Sequence, residues 1–472
     1  MTEKKDINAQ ARVGRREFIR QGSKIVAGGA ALMAGCGPEL TPLTTTADMN
    51  QDMFDGLDLG GGSDLSDMQH DLGSDDVSND AADDMATPEV VQFTKPPFLQ
   101  LLGASVARLR FETRREEPLS VRLQRRGQSS QEFVATSNWQ DLPEFEWPVP
   151  VLANTVEYPD RPGWHNMQDV VFEGLEPGEV YDWIVHQGNG VEWKGSFEVG
   201  RPNGSAFDLG WISDTMTPNS EAAIRALADL NPTLSLHGGD LQYMTHPLDT
   251  WSGFFHAWSP LTRKGAVHTC VGNHELEGLD EYELQYGRSF RGHGFEGSTL
   301  GYSYIDVAGV RILLMNSETD LFAESSAQRD WLIAHLEAVK NSTSLRFAIV
   351  AYHRPFFTMS KSVPNFEARD RLHPLFRDYG VPLVLNGHNH CYERYEVEGV
   401  TYIMDGGGGA LSYGVDDSRD VVLAERPGDE MLRKVASATY GVTMVRVQAD
   451  NTIKLERYKS TESVPMDEYT IG

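Results

Sequence analysis

His388 and His390 stand two residues apart at the end of a largely apolar run, Val381-Pro382-Leu383-Val384-Leu385-Asn386-Gly387-His388-Asn389-His390. Side chains at i and i+2 of an extended segment share a face, so both imidazoles can reach one small volume. Such a pair on its own is more often packed or solvent-facing than ligating. Its company changes that reading: each after its own apolar run come Asp214, Asp240 with Tyr243, Asn273 with His274, and His353. Carboxylate, phenolate, amide oxygen and imidazole make a mixed hard and borderline donor set. It suits ferric iron, zinc, manganese or ferrous iron better than copper or a thiolate site.

These residues need strands to carry them. The runs Leu209 to Ser213, Leu234 to Gly239, Val267 to Gly272, Phe347 to Tyr352 and Val381 to Leu385 read as buried strands, each ending at a candidate ligand. Helical patterns alternate with them. One covers Ser220 to Leu230. A second covers Ser325 to Lys340, with Ser325 and Gln328 at capping-box spacing and Leu332, Leu336 and Val339 on one stripe. A third runs from Phe366 to Tyr379 and stops at Gly380 and a proline. The expected fold class is α/β, a layered arrangement flanked by helices with ligands on loops at the carboxyl ends of strands.

Taken in order, Asp214, Gly239-Asp240-Leu241-Gln242-Tyr243, Gly272-Asn273-His274-Glu275, Val350-Ala351-Tyr352-His353 and Gly387-His388-Asn389-His390 resemble the five metal-ligand blocks of the purple acid phosphatases, within the calcineurin-like metallophosphoesterases. The tyrosine of the second block singles out the purple acid branch. The resemblance implies a β-sandwich metallophosphoesterase domain over residues 201–472. One metal would take Asp214, Tyr243, His390 and Asp240, and the other Asp240, Asn273, His388 and His353. A bridging Asp240 would hold the ions ~3.5 to 4 Å apart. A phenolate favours a trivalent ion, which implies Fe(III) beside a divalent Zn, Fe or Mn. The implied reaction is attack of a metal-bound hydroxide on a phosphomonoester, with His274 bonding the substrate and protonating the departing alkoxide. Two departures stand out: Asp214-Thr215-Met216 lacks the glycine usual two residues after the aspartate, and Arg354-Pro355-Phe356-Phe357 lacks the extra histidines of some plant enzymes.

Residues 93–200 read as all-β. Leu109 and Phe111 alternate with Arg108, Arg110 and Glu112, and Leu119, Val121 and Leu123 with Ser120, Arg122 and Gln124. Tyr181, Trp183 and Val185 share a later face. The segment resembles the fibronectin type III-like domain that precedes the catalytic domain in many purple acid phosphatases. It offers no catalytic constellation. The proline- and aromatic-rich stretch from Trp139 to Trp164 reads as a wrap over this sandwich, with a substrate-gating lid as the alternative.

Residues 1–36 read as a processing segment. Arg15 and Arg16 followed by Phe18 and Ile19 resemble a twin-arginine export motif, and Met33-Ala34-Gly35-Cys36 is similar to a lipoprotein lipobox with Cys36 as the lipidated residue. Residues 37–92 hold twelve Asp and two Glu with no Lys or Arg. That composition cannot bury enough apolar surface to fold, so it is expected to be a disordered, self-repelling tether. It carries half of the chain's net charge of −28. The rest stays acidic, which excludes the basic footprint of a nucleic-acid binder. The expected product is a periplasmic or cell-surface bacterial lipoprotein, touching the membrane only through its lipid anchor and acting on phosphate esters. The sequence sets no oligomeric state.

His246 follows Tyr243 closely enough to be a candidate substrate contact, whereas His237, His256, His268 and His293 read as packed or solvated. Cys270 and Cys391 read as buried free thiols. Gly406 to Gly409 give either backbone freedom or a close approach to phosphate. Two other functions compete with a phosphomonoesterase. One is a phosphodiesterase or alkaline phosphatase D-like enzyme, which a cysteine ligand would favour. The other is a non-catalytic surface binding lipoprotein, against which the complete ligand set argues.

Overall fold

The chain was analysed as a computed structural model that describes residues 92–142, 163–217, 219–243, 247–276, 286–290, 301–319 and 325–472. Cys36, the twin-arginine pair, the acidic segment up to residue 91, His246, His293 and the centre of the 139–164 stretch lie outside the described residues.

Two sheets face each other over residues 207–471. In one, Phe207–Ile212, Leu234–His237 and Ala266–Thr269 run parallel, with Leu209 opposite Leu234 and Leu234 opposite Ala266. Gly441–Val447, Ile453–Lys459 and Asp467–Ile471 extend it on the Phe207–Ile212 side. In the other, Val310–Leu314, Phe347–Ala351, Leu383–Asn386 and Val400–Asp405 run parallel, and Ser303–Val307, Tyr392–Val397 and Arg433–Ser437 complete it.

Alternate residues of these strands go to opposite cores, which is why they read as continuous apolar runs. Leu209, Trp211, Leu236, Ile349, Ala351, Leu383 and Leu385 fill the layer between the sheets. Ile212 and Val267 face outward onto the helices Glu221–Leu230 and Pro247–Thr262. Val350 and Val384 face outward onto Ala327–Asn341 and Phe366–Asp378. The result is a helix, sheet, sheet, helix sandwich. The predicted capping box at Ser325 is corrected: Ser326 caps the helix, its hydroxyl accepting from the Arg329 N–H at 3.0 Å. Gln328 is buried and braces Asn316 instead, its Oε1 accepting from the Asn316 N–H at 2.7 Å.

Eight strands between Phe93 and Glu198 form the all-β region. Four of them, Ser130–Val134, Ser120–Arg125, Val180–Gly188 and Val191–Glu198, make a separate sheet. The other four, Phe93–Gly103, Val106–Thr113, Gly163–Phe172 and Thr136–Leu142, continue the first catalytic sheet, because Leu99 pairs in parallel with Ala266. His268 Nε2 accepts the Leu101 N–H at 3.2 Å across this seam, and the Arg263 guanidinium lies 3.9 Å over the Trp193 ring. The β-region is thus bonded into the sheet that carries Asp214 and Asp240.

Candidate metal centre

Every candidate ligand follows the carboxyl end of a parallel strand, and together they gather at the carboxyl ends of strands from both sheets. Three of them have positive φ: Asp214 at 59°, Asp240 at 53° and His388 at 74°. For residues with a Cβ such backbone costs roughly 1 to 3 kcal/mol each and persists only where surroundings enforce it. The surroundings are visible. Glu275, buried, accepts the N–H groups of Asp240 at 2.8 Å, Leu241 at 2.7 Å and Gly272 at 2.7 Å. A Cβ on Gly272 would lie 2.2 Å from Asp240 Oδ1, so only glycine permits the approach.

One group of ligands converges on the Tyr243 hydroxyl. It donates to Asp214 Oδ1 at 2.7 Å and lies 3.0 Å from Asp240 Oδ2 and 3.0 Å from His390 Nε2. His390 Nδ1–H donates to the Leu411 carbonyl at 2.6 Å, which leaves its Nε2 lone pair facing the group. A second group converges on His353 Nε2, which lies 3.2 Å from Asp240 Oδ2, 3.3 Å from Asn273 Oδ1 and 3.2 Å from His388 Nδ1. His353 Nδ1–H is tied to the Gly238 carbonyl at 2.9 Å. Asp240 therefore touches both groups. Asp240, His353 and His388 offer ligand atoms all within 4.8 Å of one another. His274 sits at the edge, 16% exposed, with its backbone N–H on Asp240 Oδ1 at 2.9 Å and its Nε2 3.9 Å from Asp240 Oδ2.

The protonation pattern tests whether this set fits a cation. Burial pushes the Asp214 carboxyl up to about 6. Burial and the two nearby carboxylates push the Tyr243 phenol well above its ordinary range. Burial opposes a charge on His353, yet Asp240 and Asp214 raise it to about 10. Burial likewise opposes a charge on Asp240, yet His353 and His274 hold it ionised. Burial keeps His390 neutral, down to about 4. The metal-free pocket thus holds its carboxylates by keeping protons on a histidine and a phenol. A cation displacing those protons would satisfy every donor here, so the residues fit a metal. Cys270 and Cys391 are free and buried, and burial pushes both thiols up.

The turn after Asp214 is braced by buried neighbours. Thr215 is buried, donating to the Leu241 carbonyl at 2.7 Å and lying 3.0 Å from His237 Nε2. His237, packed against Phe254 and Trp258, also accepts the Gly239 N–H at 3.2 Å. It ties the Asp214 and Asp240 turns to the helix Pro247–Thr262. Gly406 approaches protein closely: a Cβ there would lie 2.3 Å from the Asn389 carbonyl and 2.8 Å from Asp214 Oδ2.

Residues 208–392 match the calcineurin-like phosphoesterase family. This stretch resembles the calcineurin-like phosphoesterases, and the chain is similar over part of its length to purple acid phosphatases. It is 28% identical over 298 residues to "Probable inactive purple acid phosphatase 9" of Arabidopsis thaliana, covering 51% of this chain and 44% of that one. Among solved structures, a purple acid phosphatase from yellow lupin seeds superposes with a TM-score of 0.63 at 16% identity, over 80% of this chain and 74% of that one. A structure of PhoD superposes with a TM-score of 0.53 at 11% identity, over 83% and 90%. The two structural likenesses show the fold alone, a layered α/β sandwich preceded by a β-region. The chain spans about half the length of the curated relatives it matches.

Glu275, Thr215 with His237, and the pair Arg354 and Glu318 are site residues that the sequence reading passed over. Glu275 follows the Asn-His block directly, and Arg354 follows His353. Glu318 has no local signal, since it arrives through a bridge between Val271 and Asn316.

Proposed function

We propose that this protein is an exported, lipid-tethered phosphomonoesterase working with a pair of cations. The observation that carries the reading is the position of Asp240 between two ligand groups, Asp214, Tyr243 and His390 on one side and Asn273, His353 and His388 on the other. When bound, the cations supply charge neutralisation for a phosphate dianion and an acidified water oriented for in-line attack. The donor set supports Fe(III) beside Tyr243 and a divalent Zn, Fe or Mn beside His353.

The chain's own residues do the rest. Gly238 and Leu411 carbonyls fix the tautomers of His353 and His390. Glu275 fixes the backbone of Asp240. His274, at the edge of the pocket, is placed to hold the ester oxygen and to deliver a proton to the departing alkoxide. Export through Arg15 and Arg16 and lipidation at Cys36 are the part of the proposal that rests on sequence alone. The described side chains whose ligand atoms lie within 4.8 Å of one another, Asp240, His353 and His388, include no cysteine, which weighs against a thiolate-ligated alkaline phosphatase D-like site. Steady-state assays with a phosphomonoester and a phosphodiester, with metal analysis of the same sample, test the proposal. Preference for the monoester by a metal-loaded protein is expected, and preference for the diester would replace this reading with the phosphodiesterase one.

A further inference from the structure

Arg354 takes the place after His353 and is built into the rim of the metal centre. Its Nε donates to both oxygens of Glu318, at 3.0 and 2.8 Å, and its Nη1 lies 3.0 Å from His388 Nε2. Glu318 is only 7% exposed while Arg354 is 39% exposed, so the anchor is inside and the fork is outside. The anchor is itself braced. Ser317 Oγ accepts the Arg354 backbone N–H at 3.0 Å and donates to Glu318 Oε1 at 3.0 Å. The Glu318 N–H donates to Asn316 Oδ1 at 2.9 Å, and Asn316 is held by Gln328 and by the bridge to Val271. Holding a long cationic side chain through so many fixed bonds costs rotamer entropy, which a purely solvated arginine would not incur.

The contact with His388 is the informative one. His388 turns Nδ1 toward His353 Nε2, the side on which a metal would sit. A neutral imidazole ligating through Nδ1 carries its proton on Nε2, and that N–H cannot accept from a guanidinium. Loading the centre therefore frees the Nη1 donor of Arg354 at the edge of the pocket. We propose that the freed fork of Arg354 binds a non-ester oxygen of the substrate phosphate and so selects phosphomonoesters over diesters, with Glu318 as its positioning residue. The inference rests on the hydrolase reading above for its substrate class. A diester has two non-ester oxygens sharing one charge, whereas a monoester dianion has three sharing two. The monoester dianion thus offers the protein one more charged oxygen than the diester does, and a planar fork on that oxygen would make a charge-assisted contact.

The test compares wild type, Arg354→Ala, Arg354→Lys and Glu318→Gln as metal-loaded proteins, with metal content measured for each. The probes are p-nitrophenyl phosphate, bis(p-nitrophenyl) phosphate and orthophosphate, the last by calorimetric binding as well as inhibition. Arg354→Ala should lower kcat/KM for the monoester about 10- to 100-fold, the loss of one hydrogen bond to a charged group. It should leave the diester within about threefold and weaken orthophosphate in parallel with the monoester. Arg354→Lys should recover little, lacking the fork, and Glu318→Gln should fall between. Equal losses on both esters, unchanged orthophosphate binding, or loss of metal from Arg354→Ala would overturn the assignment and leave Arg354 as a support for His388. Should wild type hydrolyse neither ester yet bind orthophosphate through Arg354, the hydrolase reading fails while the phosphate contact stands.

Discussion

Two of the clusters of buried ionisable groups among the described residues are built on opposite principles. In the β-region, Lys95, Glu112 and His165 are fully buried. Lys95 Nζ donates to Glu112 Oε1 at 3.0 Å, His165 Nδ1 lies 3.0 Å from the same oxygen, and Arg114 Nη1 lies 3.1 Å from His165 Nε2. An arginine can only donate, so His165 accepts at Nε2 and gives its Nδ1 proton to Glu112. The Lys95 and Glu112 charges there meet each other within the chain. In the metal centre, Asp214, Asp240 and Tyr243 face imidazoles and an amide, and the arginine beside them spends its Nε on Glu318. A cluster that closes on itself within the chain is structural, whereas carboxylates, imidazoles and a phenol facing one small volume suit a bound cation.

Breaking each cluster should therefore give different phenotypes. The largest effect belongs to the bridge. Asp240→Asn should lose metal from both halves of the centre and reduce turnover by on the order of 10³-fold or more, since a neutral amide replaces the one carboxylate both halves share. A variant that keeps both metals and near-normal rate would refute the assignment of Asp240. Glu112→Ala comes next. It strands Lys95 and should cost about 3 to 5 kcal/mol in urea unfolding, with metal content of the folded protein unchanged. Replacing Lys95 by Met together with Glu112 by Leu should recover most of that loss, and failure to recover it would mean that the cluster does more than balance itself.

Protonation sharpens the contrast further. In the metal-stripped protein His353 is raised from 6.5 to about 10. Its folded form holds the proton more tightly than the unfolded chain, so its contribution is fully present below pH 6.5 and is lost as pH rises through 10. Asp214, raised from 3.8 to about 6, acts in the same direction across its lower window. Stability of the chelated protein should decline from pH 6.5 to 10, and the metal-loaded protein should lack that decline because metal has already displaced the proton. Parallel curves with and without metal would contradict it. The smallest change is Tyr243→Phe. It should bleach a visible phenolate-to-iron absorption and weaken iron retention by roughly ten- to a hundredfold, the scale of changes around metal ligands, while the fold stays intact. A variant whose spectrum matches wild type would remove Tyr243 from the ligand set.

Much of the site was legible because each ligand ends an apolar run, and such runs are strands buried on both faces. Val350 and Ile349 go to different cores, so the run from Phe347 reads as continuous, and His353 falls at its end. The helix Pro247–Thr262 was not legible. Its aromatic residues Trp251, Phe254, Phe255 and Trp258 pack on several sides, which blurs a single stripe, and Pro260 lies inside it. Nor was the junction between the β-region and the catalytic sheet, since one parallel pair, Leu99 with Ala266, decides it at a separation no local pattern encodes. Glu318 escaped for the same reason: its role depends on which strand end it meets, not on its neighbours in sequence.

The most direct measurement is elemental analysis of metal per chain in the purified full-length protein, paired with phosphomonoester turnover on the same sample. The account predicts two ions per chain, one of them iron, with turnover falling as either is removed and returning on reloading. A folded protein that hydrolyses the ester with a single ion, or that holds two and hydrolyses no phosphate ester, would contradict it.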